Sequence, residues 1–146
     1  MKALLKFAIL PSLILLVACT PKPATITYGS DGCHFCSMTI VDEQHAAQIV
    51  TKKGKPFKFD AIECMMNHLK DTDTSTIALY LVNDYEAPGE FINARNTTFL
   101  ISKDIPSPMG EYLSAFKTES DAMRVETENK GKLYTWEVLL EKFKVQ

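Results

Sequence analysis

Residues 46–70 read AAQIVTKKGKPFKFDAIECMMNHLK, and this stretch decides the fold. It opens on Ala46–Thr51, an apolar and β-branched run with strand character. Gly54, between Lys53 and Lys55, marks a turn, and Pro56-Phe57-Lys58-Phe59 alternates apolar and polar residues. The pair predicts an antiparallel hairpin. At Asp60 the period changes: Ile62, Met65, Met66 and Leu69 fall at i, i+3, i+4 and i+7, one face of a helix. Asp60, with Glu63 three residues on, predicts an N-cap of the capping-box type, and the helix runs over about 61–70. The polar loop Asp71–Ser75 leads to a strand over Ile77–Val82. The first half therefore reads ββαβ.

Downstream the outline repeats. Phe91–Ala94 and Thr97–Ser102 are predicted strands, and Pro106-Ser107-Pro108-Met109-Gly110 is a breaker-rich loop. Tyr112–Phe116 is expected to form a short helix. Ser120 is placed to cap a second helix reaching about Asn129, with Gly131 ending it. A strand over Leu133–Thr135 and a helix over Trp136–Phe143 close the chain. The expectation is an α+β fold of two small related ββαβ units, about 31–85 and about 90–146, together forming one domain over 31–146.

Upstream, Lys2 and Lys6 precede an apolar run from Phe7 to Ala18, shorter than the ~20 residues of a membrane span and typical of a signal peptide over 1–18. It ends Leu16-Val17-Ala18-Cys19, a lipobox-like sequence that makes Cys19 the lipidated first residue of the mature chain. Pro21, Pro23, Gly29 and Ser30 make 19–30 a tether, with Ile26-Thr27-Tyr28 starting a strand. The mature chain, residues 19–146, carries 14 basic and 18 acidic residues, a net charge of −4, which argues against nucleic acid as a partner. Its expected place is the bacterial cell envelope, lipid-anchored to a membrane and facing the periplasm or the cell exterior.

That compartment sharpens the meaning of the cysteines. With Cys19 lipidated, Cys33, Cys36 and Cys64 remain, and an odd number leaves one thiol unpaired within the chain. Cys33-His34-Phe35-Cys36-Ser37-Met38 offers two thiols, an imidazole and a thioether, and thioether suits Cu(I) far better than zinc. Met109, in its proline-flanked loop, lies on no apolar stripe and is a candidate donor from the second half. His34, Cys64 and His68 are additional candidate metal ligands. Cys64 and His68 share a helix face, so Cys33-x2-Cys36 with Cys64-x3-His68 also fits a closed Cys3His zinc site in a structural interaction module. A thiol–disulfide oxidoreductase using Cys33 and Cys36 is a third reading. Met65 and Met66 read as core, and His45 as packed or solvated. No nucleophile elbow, phosphate loop or H-E-x-x-H motif occurs, so no enzyme is expected.

Together these residues resemble the NosL family, the lipoprotein copper chaperones for nitrous oxide reductase. The resemblance is carried by Leu16-Val17-Ala18-Cys19, the Cys33–Met38 hexapeptide, Lys58-Phe59-Asp60 followed by Cys64, and Pro108-Met109-Gly110. Ser114-Ala115-Phe116 and Ser120-Asp121-Ala122 follow in family order. The family commonly has Gly where Ser37 stands. The resemblance implies two ββαβ units similar to a domain of organomercurial lyase, and Cu(I) bound by Cys33, Cys36, Met38 and Met109. It further implies delivery to apo nitrous oxide reductase or another copper enzyme, with membrane-linked maturation proteins as partners.

Overall fold

In the computed structural model residues 20–145 are described; the expected signal segment 1–18 and the expected lipidation site Cys19 lie outside them. The predicted hairpin is present as β1 (Ala47–Thr51) and β2 (Pro56–Phe59), with Ala47 opposite Phe59 and Val50 opposite Pro56. Helix α1 (Ile62–Leu69) follows, and β3 (Ile77–Asp84) returns antiparallel to the other edge of β1. Because β1 is flanked on both sides and covered by α1, Ala47, Gln48, Ile49 and Val50 are all buried. Strand β4 (Ala87–Asn93) completes a sheet of order β2-β1-β3-β4.

The second unit repeats this topology. Strand β5 (Thr98–Ile101) is central, β6 (Leu113–Phe116) pairs with it antiparallel, helix α2 (Glu119–Asn129) follows, and β7 (Lys132–Tyr134) adds to the other edge of β5. Helix α3 (Trp136–Phe143) ends the described chain. The α+β class and the paired ββαβ units are as expected. The units share one core: Phe59, Met65, Met66 and Leu69 of the first pack in a single cluster with Phe99, Leu113, Trp136 and Leu139 of the second. Met65 and Met66 are fully buried, each contributing about 1.5–3 kcal/mol by leaving water. A smaller cluster of Leu100, Phe116, Ala122 and Val125 lies under α2.

Several local expectations are corrected. Leu113–Phe116 is a strand, not a helix: Tyr112 enters it at φ +63, and all four side chains are buried beside β5. Phe91–Asn93 belongs to β4 on the first sheet, so the second unit begins after it. Strand β4 is an edge strand, where Pro88 is tolerated because no neighbour needs its N–H. The cap of α1 is Ala61, with no side-chain bond; Asp60 stands one residue outside, and the Glu63 side chain is used elsewhere. Thr118, not Ser120, caps α2 by accepting from Asp121 N at 3.1 Å. Gly131 does end the region of α2: with φ +128, a Cβ there would lie 2.5 Å from the Ile101 carbonyl oxygen.

Part of the stretch 19–30, expected to be a tether, is built into the fold. Ala24 exchanges two 2.8 Å hydrogen bonds with the buried side-chain amide of Gln48, and Ile26 lies in the core. Ile26–Tyr28 forms no strand; Thr27 N instead donates to Asp31 Oδ2 at 2.7 Å in a turn. Among the described residues no helix is long and apolar enough to cross a membrane.

Candidate metal centre

The hexapeptide forms a tight hairpin loop anchored at both ends. Gly32 bridges Thr39, Cys33 N donates to the Met38 carbonyl at 2.7 Å, and Ser37 N donates to the Cys33 carbonyl at 2.9 Å. Closing this turn puts Ser37 at φ +65, the conformation the glycine common in the family adopts without strain. The loop is stitched to β2: His34 N donates to the Lys58 carbonyl at 2.8 Å, and Lys58 Nζ pairs with Asp31 at 2.6 Å.

This anchoring sets the loop against the start of α1, where Cys64 points back at it. The sulfurs of Cys33, Cys36 and Cys64 lie within 4.8 Å of one another, and all three thiols are free. Two sulfurs on one metal, at bonds of ~2.3 Å, stand at most ~4.6 Å apart, so small side-chain adjustments would seat an ion. Cys33 is 3% exposed and Cys64 fully buried, while Cys36 is half-buried on the solvent side. By sequence alone Cys64 is only an additional candidate. The available signal was its place early in α1 and off the apolar stripe of Ile62, Met65, Met66 and Leu69.

The electrostatics favour a single thiolate. The Cys64 thiol donates to Cys33, and backbone N–H groups of Cys36, Asp60 and Phe35 also point at that sulfur, so Cys33 ionises well below the usual thiol range despite its burial. Cys64 is pushed up by its donation to Cys33, by burial and by the negative charge it faces. Cys36 is pushed up by burial and by the Cys33 charge. One anionic sulfur held by two thiols is a donor set suited to a soft cation, whose binding would displace the remaining protons. Asp60 lies behind Cys33 with both carboxylate oxygens buried and unpartnered, and burial beside the Cys33 charge raises its pKa.

Of the other predicted donors, neither His34 nor His68 belongs to this group. Among the described His, Cys, Asp and Glu residues, the three thiols are the only group that converges, and it contains no imidazole. The four-ligand Cys3His grouping therefore does not form: the His68 ring turns instead toward His34, Phe57 and Phe59. Burial and the neighbouring His34 lower the His68 pKa. Met38 is 51% exposed at the outer lip of the loop, and Phe35 of the same loop is exposed as well. Met109 is partly buried against the shared core. Its loop is pinned to the residue before Cys64: Ser107 Oγ donates to Glu63 Oε1, the Leu113 N–H donates to the same oxygen at 3.3 Å, and Tyr112 N donates to Ser107 Oγ at 2.9 Å. Burial raises the Glu63 pKa, partly offset by the Ser107 hydrogen bond. His45 is packed, with both ring nitrogens engaged by Asp42 at 2.9 Å and Ser114 at 3.1 Å.

A small α+β domain that gathers three free thiols between a loop and a helix start has a donor set that could hold a soft metal ion. Within it, the family model NosL matches residues 23–142, and the chain belongs to the NosL family. Two chains among solved structures match. One is the crystal structure of the copper chaperone NosL from Shewanella denitrificans, 26% identical with a TM-score of 0.70, covering 80% of this chain and 95% of that one. No curated protein matches.

Proposed function

We propose that the chain is a Cu(I) chaperone, a carrier and not a catalyst, which holds the ion on Cys33, Cys36 and Cys64 and hands it to a copper enzyme. The observation that carries this reading is the convergence of three free thiols with one of them, Cys36, facing solvent. Family membership and the description of the Shewanella protein as a copper chaperone support it. Sulfur donors favour Cu(I), and three of them leave room for an incoming ligand. Transfer then proceeds by exchange: each donor from the partner forms one bond to copper as one copper–sulfur bond breaks. Met38 at the lip and Met109 in the pinned loop are the thioethers from which an additional neutral donor would come.

Apo nitrous oxide reductase is the client we propose, with membrane-linked maturation proteins assisting the handover. A lipid on Cys19 would keep the domain at the outer face of a membrane, and residues 24–29 being part of the fold would hold it close to that surface. Retention of Cys19→Ala protein in the membrane fraction at high salt would overturn the anchor.

The decisive experiment is anaerobic competition of detergent-solubilised full chain against a chromogenic Cu(I) chelator, with Zn(II) in parallel. The expected result is Cu(I) bound in preference to Zn(II), with loss of this tight equivalent in Cys64→Ser, a variant that keeps size and burial. Tighter Zn(II) than Cu(I), with unfolding on metal removal, would identify a structural zinc site instead.

A further inference from the structure

His34 and His68 differ from His45 in one respect that bears on chemistry. Whereas both nitrogens of His45 are satisfied within the fold, neither His34 nor His68 makes a side-chain hydrogen bond to any described residue. Their rings face each other with centroids 5.1 Å apart and planes at 82°. Two phenylalanines of β2 hold them there. Phe57 is 4.4 Å from His34 and 5.8 Å from His68, and Phe59 is 6.3 Å and 5.3 Å from the same rings. The four rings make one cluster, with His34 exposed and His68 half-buried. His34 also lines a groove of about 280 Å³ with Phe57, Lys58 and Asp31, so solvent species reach it.

Imidazole is a good donor to copper, and two copper-type metal–nitrogen bonds of ~2.0–2.1 Å span about 4 Å. The centroids are 5.1 Å apart, so side-chain rotation that turns one nitrogen of each ring toward the other would bring both within reach of a common ion. Packing on Phe57 and Phe59, and the 2.8 Å bond from His34 N to the Lys58 carbonyl, already restrict both side chains, so little freedom is lost on binding. Neither imidazole belongs to the three-thiol group. We infer that His34 and His68 form a second, bis-imidazole site for Cu(I) at the rim of the thiol centre, distinct from it and weaker. This rests on the Cu(I) cargo proposed above. Its place suits an entry or exit station: His34 follows Cys33 directly, and His68 stands one helical turn beyond Cys64.

The test is anaerobic Cu(I) titration of the detergent-solubilised full chain with two chelators of different strength. The expected result is two Cu(I) per chain, the second weaker by about tenfold or more. His34→Leu and His68→Leu should each abolish the second equivalent and leave the first unchanged, and X-ray absorption should show imidazole scattering only once the second is loaded. His34 is exposed, so its substitution leaves the fold intact and keeps the test valid if His68→Leu destabilises the chain. Saturation of the parent at one Cu(I), or a second equivalent that survives both substitutions, would overturn the inference. So would a first equivalent weakened by His68→Leu, because His68 would then be a ligand of the thiol centre. Loss of the first equivalent in Cys64→Ser tests the thiol centre independently.

Discussion

Replacing Ser37 by glycine should stabilise the protein without changing the metal centre. Ser37 holds φ +65 to close the loop that carries Cys33 and Cys36. A residue with a Cβ pays roughly 1–2 kcal/mol in that conformation. The side chain is exposed and makes no hydrogen bond, so its removal costs no packing. Glycine loses more freedom on folding, which takes back about 0.4–1 kcal/mol. The net gain is about 0.5 kcal/mol. With an unfolding entropy of about 2.1 cal/mol/K per residue, the 126 described residues give about 0.26 kcal/mol/K, so the midpoint should rise by about 2 °C. Thermal unfolding of the reduced apo protein measures this, with Ser37→Val as the opposing control. Valine, β-branched, should lower the midpoint, and Cu(I) affinity of the glycine variant should equal the parent's. A glycine variant no more stable than the valine variant would refute the argument that backbone strain is stored at this position.

Other expectations follow from the same structure. Gly131→Ala should cost about 2–4 kcal/mol, because its Cβ would stand 2.5 Å from the Ile101 carbonyl oxygen at φ +128; chemical denaturation measures the loss. Met109→Leu keeps volume and hydrophobicity, so apo stability should change little while Cu(I) affinity falls; unchanged affinity in chelator competition would remove Met109 from the ligand set. Asp42→Asn should flatten the acid limb of the stability curve. Burial raises the Asp42 carboxyl, but the His45 hydrogen bond and backbone N–H groups of Gln44 and His45 outweigh it and hold the pKa below 3.8. A depressed folded-state value contributes stability above the unfolded pKa, lost as pH falls through the folded one. The parent's midpoint should therefore drop more than the variant's between about pH 5 and pH 2.

Where local chemistry decides the structure, the chain could be read directly. The β1–β2 hairpin, the apolar stripe of α1 and the closing helix Trp136–Phe143 each carry their period or turn signal within a few residues. Leu113–Phe116 could not be read that way: four buried residues have no distinguishable period, and only pairing with β5 makes them a strand. Strand β4 was hidden by Pro88 and Gly89, which an edge position tolerates. The alignment of Asp60 and Glu63 suggested a cap because the helix start is uncertain by a residue, and tertiary demands claimed Glu63 for Ser107. In the centre, the donor chemistry of Cys33 and Cys36 was legible from their spacing. The participation of Cys64, 28 residues away from Cys36, is a property of how the loop docks on α1, and no local pattern encodes it.

The unequal burial of the three sulfurs puts an order in time on whatever happens to them. A reagent arriving from solvent meets Cys36 before Cys33, and Cys64 last, since the helix start forms the floor. A docking partner would therefore begin with the outermost bond while the two inner sulfurs still grip the ion. The cargo would pass from hand to hand without a free interval between them. Reversing the sequence would require the floor to open first, and the shared core beneath α1 stands against that.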